Sequence, residues 1–360
     1  VQGRGVLRFL ANTGAEAYGL VHDLIFEGGS VESGIGPSGV KNSLLVTGAL
    51  TVTHDAVITA RNVGFVSGAI GASSGEPTDI TVAQNKVLDF KGTIADDAYA
   101  NASSFNKKGE GTLVLSGDNS GMSGASKVTQ GNVDVRHQFA LGSGSVSPET
   151  SLAAQITVLD GASLSVNQAS FVSPGPVAGN IIVENGGSIG VVAPGVALIG
   201  NLQLSQLSLR PGANILFKIW DASQAAGVGY DKLDLGTLDL AGVTSTDRVY
   251  IKILSMSSAT EFGSAVDFPF ERIRTFQFGT YNPGSLGNIN DLFAFDLSEF
   301  YHSEGTAADA SLWSINFNSS DGTITLTAVP EPSTYGFGLG ALALAAAAIR
   351  RRKRRQEKKA

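Results

Sequence analysis

The chain contains no cysteine and only two methionines among its 360 residues. Without cysteine it can form neither disulfide bonds nor thiolate metal sites. This composition fits an exported bacterial protein as well as a cytosolic one. Apolar residues at helical spacing are nearly absent before residue 333, so we expect an all-β protein.

Basic residues are scarce outside the last part of the sequence. Residues 1–349 hold 17 basic and 31 acidic residues, a net charge of −14. Residues 350–359 hold eight basic residues and one acidic residue, a net charge of +7. Because nucleic-acid binding needs a basic surface, the acidic body disfavours nucleic acid as a partner.

The first residues lack the pattern of a signal peptide. The segment "VQGRGVLRFLANTGAEAYGL" has no basic start, apolar core and cleavage site in that order. Its "GVLRFLANTG" part already has the pattern of a strand and a turn. Either a leader has been removed or the chain is a fragment, and this pattern favours a fragment that begins within a domain, with its N-terminus and signal peptide missing.

Glycine is abundant, with 45 residues, and much of it recurs in one pattern. A glycine, one or two small or polar residues and an alternating apolar strand follow one another at Gly48, Gly111, Gly131, Gly161, Gly186, Gly212 and Gly236. From Gly111 onward the steps are 20 to 30 residues, a period typical of stacked solenoids. We predict a parallel β-helix with strands paired about 25 residues apart over residues 40–240. A two-sheet β-sandwich is the alternative.

Residues 109–146 carry a more specific motif. They contain Gly111-Thr112-Leu113, Ser116-Gly117-Asp118-Asn119, Gly131-Asn132-Val133 and Ala140-Leu141-Gly142-Ser143-Gly144. This order resembles the autotransporter-associated β-strand repeat, except that Ser120–Gly124 stands where that family often has Tyr-Thr-Gly. The resemblance implies a right-handed β-helical stalk.

After about residue 245 the strand-like segments become longer and contain more aromatic residues. In "NSSDGTITLTA" the dipeptide Asp321-Gly322 predicts the turn of a hairpin. We therefore divide the chain into a β-solenoid region (1–244), a β-rich cap (245–328) and a C-terminal tail (329–360). The cap would close the open end of the solenoid.

Few residues are arranged as a catalytic or metal site would require, and we predict no catalytic, cofactor-binding or metal-binding residues and no cofactor. The candidates are the dispersed histidines, an aspartate group and an acidic pair: His22, His54, His137 and His302; Asp231, Asp234 and Asp239; Asp96 and Asp97. The histidines lack zinc-site spacing, and the three aspartates lack a calcium-loop pattern. Solvated side chains are the simpler interpretation of both groups. Adjacent strand residues point to opposite faces, so Asp96 and Asp97 would converge for glycoside chemistry only in a loop.

The tail combines three features in a fixed order. Val329-Pro330-Glu331-Pro332-Ser333-Thr334 comes first, and an uncharged apolar segment follows at 335–349. The basic cluster Arg350, Arg351, Arg352, Lys353, Arg354 and Arg355 comes last. As a helix the apolar segment would be about 22 Å long, short of a hydrocarbon core of about 30 Å unless flanking arginines snorkel. We predict a single transmembrane helix, with the basic tail on the cytoplasmic side and the body across the membrane.

This order resembles the PEP-CTERM sorting signal. The resemblance implies export across the inner membrane of a Gram-negative bacterium. It also implies that Pro330, Glu331 and Pro332 are recognised by an exosortase, a membrane-embedded transpeptidase that removes the helix after its transient insertion. Proteins with this signal usually accompany extracellular polysaccharide and biofilm matrix.

From these features we predict an exported, non-enzymatic β-solenoid of the cell surface or extracellular matrix, with a role in biofilm or adhesion. Exopolysaccharide is a further candidate partner. The alternative is a polysaccharide-active lyase or glycosidase on the same β-helix scaffold, since fold alone does not determine activity.

Overall fold

The computed structural model describes residues 2, 6–9, 18–21, 23–33, 43–59, 63–65, 77–96, 102–143, 154–171, 175–191, 199–265, 273–284, 286–301 and 310–329. These residues form an all-β structure with three single-turn 3₁₀ helices, Gln168–Ser170, Asn290–Leu292 and Ala310–Leu312. Within these ranges 22 strands join one large, mostly parallel sheet, and three form a second sheet.

The strands are given in chain order: β1 (Val6–Phe9), β2 (Tyr18–Val21), β3 (Leu24–Ser33), β4 (Ser43–Val46), β5 (Leu50–Ile58), β6 (Val63–Phe65), β7 (Thr78–Val82), β8 (Val87–Phe90), β9 (Phe105–Lys108), β10 (Thr112–Leu115), β11 (Ala125–Val128), β12 (Asn132–Val135), β13 (Gln155–Val158), β14 (Ser163–Val166), β15 (Val177–Val183), β16 (Ser188–Gly190), β17 (Asn201–Leu209), β18 (Asn214–Ile219), β19 (Lys232–Asp239), β20 (Val249–Ser258), β21 (Glu261–Phe262), β22 (Arg274–Tyr281), β23 (Phe293–Asp296), β24 (Trp313–Phe317) and β25 (Thr323–Ala328).

Each strand of the body pairs with strands well before and after it in the chain. Strands β8, β10, β12, β14, β16, β18, β20 and β23, called here the first ladder, are joined in that order by parallel pairing. Strands β7, β9, β11, β13, β15, β17, β19 and β22, the second ladder, are joined in the same way. Both ladders are continued toward the N-terminus by β5 and then β3, while β2, β4 and β6 form the three-stranded parallel sheet.

The parallel register follows the glycine-strand pattern. Strands β10, β12, β14, β16 and β18 follow Gly111, Gly131, Gly161, Gly186 and Gly212, and they are successive members of the first ladder. The predicted parallel pairing at separations of about 25 residues is therefore confirmed in the described part of residues 40–240. An antiparallel two-sheet sandwich does not fit this pairing.

Alternate residues of each ladder form columns of buried aliphatic side chains. In the first ladder, register aligns one such column, with every side chain no more than 3% exposed: Leu88, Leu113, Val133, Leu164, Ile189, Ile215 and Ile251. Burying an aliphatic side chain of this size stabilises a fold by about 1.5–3 kcal/mol. On β10 Leu113 and Leu115 are both buried, and on β14 Leu164 and Val166 are both buried.

A row of glycines forms the corner that precedes β14, β16 and β18. The amide of Gly161 donates to the carbonyl of Gly186 (3.3 Å), and the amide of Gly186 donates to the carbonyl of Gly212 (3.0 Å). Gly186 and Gly212 have φ angles of +74° and +79°, in the left-handed region that glycine adopts without strain. A Cβ at Gly186 would also overlap Oδ1 of Asp160.

The part of the chain after residue 245 adds antiparallel pairing to the parallel ladders. Strand β25 lies between β22 and β24 and is antiparallel to both. The predicted hairpin at Asp321-Gly322 is confirmed, because β24 and β25 pair across that turn and Gly322 has a φ of +70°. Strands β20, β22 and β23 still extend the parallel ladders. The boundary of a separate cap at residue 245 remains a prediction.

Aromatic side chains fill the interior beneath this antiparallel sheet. The rings of Phe217 and Phe278 lie 4.4 Å apart, and those of Phe293 and Phe317 lie 4.6 Å apart. Trp313 packs edge-on against Phe300 at 5.5 Å. Aromatic pairs of this kind add about 0.5–1.5 kcal/mol each beyond the area that they bury. The aromatic residues that are frequent after about residue 245 thus pack in the interior at this end of the body.

We expect three glycine-to-alanine variants to separate backbone strain from steric overlap. Gly161→Ala, where φ is +71° and the space for a Cβ is open, should lose about 1–2 kcal/mol through backbone strain alone. Gly186→Ala should lose more, because its Cβ must also displace Asp160. Gly287→Ala is the matched control, since its surroundings are open and no positive φ applies. Free energies of unfolding from urea titrations would check this order, and equal losses for all three variants would contradict it.

Candidate functional site

The predicted sorting motif follows directly on the last strand of the body. Pro330, Glu331 and Pro332 lie outside the described residues, as do the predicted helix at 335–349 and the basic cluster Arg350–Arg355. Within the described ranges, no helix is both long enough and apolar enough to span a membrane. The structure does establish where the tail leaves the body. The amide of Val329 donates to the carbonyl of Leu312 (2.8 Å), one residue before Pro330.

The three aspartates considered as a calcium site have separate partners. Nζ of Lys232 lies 2.7 Å from Oδ2 of Asp234, and the Thr280 hydroxyl donates to Oδ1 of the same residue (2.9 Å). Nη1 of Arg210 lies 2.9 Å from Oδ2 of Asp239. Asp231 is buried, so the interpretation of all three residues as solvated side chains was wrong for this one.

Asp231 forms a buried ion pair that the sequence did not reveal. Its Oδ2 lies 3.2 Å from Nζ of Lys218, and both side chains are less than 5% exposed. Asp231 also accepts hydrogen bonds from the amides of Gly200 (3.0 Å) and Lys218 (2.9 Å). Nζ of Lys218 donates in addition to the carbonyl of Val191. Burial raises the pKa of Asp231, while the Lys218 ammonium and the two backbone amides oppose that rise.

The other candidate groups have local structural roles where they are described. Oδ1 of Asp96 accepts the amides of Ser103 (2.9 Å) and Ser123 (3.0 Å), which ties two turns together. Nδ1 of His137 accepts the amide of Phe139 (3.2 Å). His54 is exposed, as expected for a solvated side chain. Asp97, His22 and His302 lie outside the described residues. In the part of the chain that the structure describes, no three His, Asp or Glu side chains are grouped as a metal site requires.

Asp134 is a second buried carboxylate that sequence reasoning missed. It lies on β12, is 1% exposed, and its Oδ2 lies 2.8 Å from Nε of Arg136. Burial raises the pKa of Asp134, and the Arg136 guanidinium opposes the rise. Asp134 alternates with Val133 and Val135, and such alternation predicts an outward, solvated side chain. The sequence pattern therefore does not indicate that Asp134 is buried.

Lys107 is the one charged member of an aliphatic column. Register in the second ladder aligns it with Ile80 and Val128, and its side chain is fully buried. Its Nζ donates to the carbonyls of Lys108 (3.0 Å), Gly109 (2.6 Å) and Gln130 (3.1 Å). Three acceptors match the three protons of an ammonium group. Burial lowers the pKa of Lys107 to about 8, with the charge of Glu110 opposing the shift.

Asn119, in the segment Ser116–Asn119, joins three successive turns of the chain. Its Oδ1 accepts the amide of Ile94 (2.7 Å), and its Nδ2 donates to the carbonyl of Ala140 (2.7 Å). The side chain is fully buried, so these bonds satisfy polar groups that water cannot reach. The asparagine in the sequence motif thus has a structural role as a bridge between neighbouring turns.

The second ladder carries a row of neutral polar side chains on its outer face. Register places Gln155, Asn180, Gln206 and Thr237 next to one another on successive strands. Gln206 and Thr237 are exposed, and Gln155 and Asn180 are partly exposed. Strands in a sheet lie about 4.8 Å apart, so this row presents amide and hydroxyl groups at regular intervals. Such a row can form hydrogen bonds with a neutral polar polymer.

Comparison with known proteins identifies a sorting motif in the tail. The PEP-CTERM protein-sorting motif matches residues 328–353. The match indicates an exported protein that passes through the membrane and is processed by an exosortase-type membrane enzyme. A search of curated proteins finds no significant match to the chain.

The lowered pKa of Lys107 should make the stability of the protein depend on pH. Its pKa is about 8 when folded and about 10.5 when unfolded. The unfolded chain therefore binds more protons between these values, and the free energy of unfolding rises with pH across this window. We expect the difference between the native protein and Lys107→Met to shift in favour of the native protein from pH 8 to 10.5, by at most about 3 kcal/mol. Urea titrations at several pH values would measure it, and a difference that does not change with pH would contradict the assignment.

Proposed function

We propose that the protein is an exported, non-enzymatic β-solenoid of the cell surface or extracellular matrix of a Gram-negative bacterium. The observation that carries this proposal is the sorting-motif match at residues 328–353. In this view Pro330, Glu331 and Pro332 are recognised by the exosortase-type enzyme. Residues 335–349 anchor the precursor in the inner membrane until the enzyme removes them.

The body would be a right-handed parallel β-helix whose sides are the two ladders and the sheet of β2, β4 and β6. Parallel strands aligned at a steady separation, glycine corners stacked on one another and Asn119 bridging neighbouring turns all support this geometry. The same features support the likeness of residues 109–146 to an autotransporter-associated repeat. Stacked units of this kind build long, regular outer faces that suit contact with extended polymers.

The burial and pairing of charged side chains favour a binding role over a catalytic one. The carboxylates of Asp231 and Asp134 are both buried within the fold. Each forms an ion pair, the first with the buried Lys218 and the second with Arg136, whose side chain is 38% exposed. The outer row of Gln155, Asn180, Gln206 and Thr237 offers neutral donors and acceptors instead. We propose exopolysaccharide of the biofilm matrix as the partner of this face, in keeping with a role in adhesion.

Replacing Glu331 should block processing while leaving membrane insertion intact. The apolar segment at 335–349 supplies the free energy of membrane insertion. The motif that contains Glu331 serves only for recognition by the processing enzyme. We expect cells that make Glu331→Gln to retain full-length protein in the membrane. Cells that make the native chain should release a shorter protein, and the masses of both would be measured. Glu357→Gln, which lies outside the matched motif, is the charge-matched control. A released native protein that still extends to Ala360 would overturn the sorting proposal.

The purified protein should not cleave polysaccharide. We expect incubation with an acidic and a neutral polysaccharide to give neither new reducing ends nor unsaturated products. The discriminating variants are Asp231→Asn and Asp134→Asn, which change the buried carboxylates described above. Turnover by the native protein that either change abolishes would establish the alternative, a lyase or glycosidase on this scaffold.

A further inference from the structure

The exposed side of the antiparallel sheet carries no charge among its described strand residues. Strands β22, β25 and β24 present the following side chains on this side, called here the cap face: Thr275 and Gln277; Thr323, Thr325 and Thr327; Ser314 and Asn316. The hydroxyl groups of Thr275 and Thr327 lie 3.2 Å apart across two of these strands. An uncharged face is unusual for a body with a net charge of −14 over residues 1–349. Removing such a face from water costs much less than removing a charged one.

Two aliphatic side chains lie at the end of the cap face where the chain continues into the tail. Arg274 pairs with Ala328, so the same register places Ile273 beside Val329. Ile273 is 60% exposed and Val329 is 39% exposed. The charged hairpin residue Asp321 lies at the opposite end of β25, about 20 Å away. The strands of the cap face are therefore uncharged, with aliphatic side chains at the tail end and a charged turn residue beyond the far end.

The length of chain after Val329 restricts where this face can lie. Six residue steps separate Val329 from Tyr335, the first residue of the apolar segment, and they span at most about 20–22 Å. Pro330 and Pro332 favour extended backbone, which reaches slightly less. The interfacial layer of a bilayer takes up about 5–8 Å of that length. With the apolar segment inserted, the tail end of the cap face must lie within about 15 Å of the lipid headgroups.

We propose that the cap face is a docking surface for the lipid headgroup layer, with Ile273 and Val329 as its apolar contacts, while the tail anchors the precursor. This inference rests on the membrane insertion included in the proposed function. Hydroxyl and amide side chains suit the headgroup layer, and the two aliphatic side chains suit its boundary with the acyl chains. The other end of the ladders would lie far from this contact. Strand β5 lies eight ladder steps from β22, or about 38 Å.

The absence of cysteine allows a direct test with single labels. A headgroup-sensitive fluorophore would be placed at Thr275→Cys on the cap face and, in a separate chain, at His54→Cys on β5. Both full chains would be reconstituted in phosphatidylcholine vesicles that contain headgroup spin-labelled lipid. We expect several-fold stronger quenching at position 275 than at position 54. Resistance of the protein to carbonate extraction reports insertion of the tail independently of either label.

Two further changes distinguish docking from proximity imposed by the tether. A flexible Gly/Ser linker of about 20 residues between Val329 and Pro330 would add a mean span of about 25 Å. Quenching at position 275 should survive this insertion, because the face contacts lipid by itself. Ile273→Asp in the linker chain should abolish the quenching. Ile25→Asp is the matched control, since Ile25 is an exposed isoleucine (54%) at the other end of the body, and it should have no effect.

The other possible results distinguish lipid docking from tethering, from a failure of the sorting proposal and from contact with a protein partner. Quenching that disappears with the linker would overturn the docking surface and leave only tethering. Carbonate-resistant protein without quenching at position 275 would overturn the docking surface but leave the proposed sorting function standing. Protein that carbonate extracts would overturn both. Quenching that requires an added exosortase-type enzyme would assign the face to a protein partner and overturn the lipid proposal.

Discussion

The body depends on parallel hydrogen bonding between strands that lie roughly 25 residues apart in the chain. A four-residue strand such as β10 has too little apolar surface to be stable alone. Its Leu113 is buried only because Leu88 and Val133 stack on either side of it. Every ladder member therefore obtains its stability from its neighbours, and the interior continues from the first strands to the aromatic end.

This dependence explains where the polar interior groups lie. A corner between successive strands leaves backbone carbonyls with no strand partner, and such carbonyls need another hydrogen-bond donor. The ammonium of Lys107 satisfies three of them, and Asn119 joins an amide of one turn to a carbonyl of another. Buried charge is costly, yet here it lies where the backbone supplies acceptors. These side chains act as cross-links between turns, a role that disulfides fill in many exported proteins.

The sequence predicted the regular features better than the exceptions. The glycine-strand pattern identified the parallel ladder from β10 to β18, and Asp321-Gly322 identified the final hairpin, because both depend on local backbone chemistry. Burial of Lys107 could have been suspected, since it alternates with Phe105 on β9. The Lys218–Asp231 pair could not, because its two residues meet only through the tertiary arrangement of β18 with the loop before β19. The pairing of Leu235 with Tyr281 spans 46 residues and departs from the period, so no repeat in the sequence indicates it.

The uneven spacing of the ladder strands has a consequence for how the chain tolerates change. Paired residues are separated by as few as 20 positions, as for Leu113 and Val133, and by as many as 46, as for Leu235 and Tyr281. The entropy of closing a loop grows only with the logarithm of its length, so this difference costs about 0.7 kcal/mol. Segments between strands can therefore lengthen or shorten with little effect on the ladders. The scaffold is suited to acquiring new surface loops by insertion while its interior stays the same.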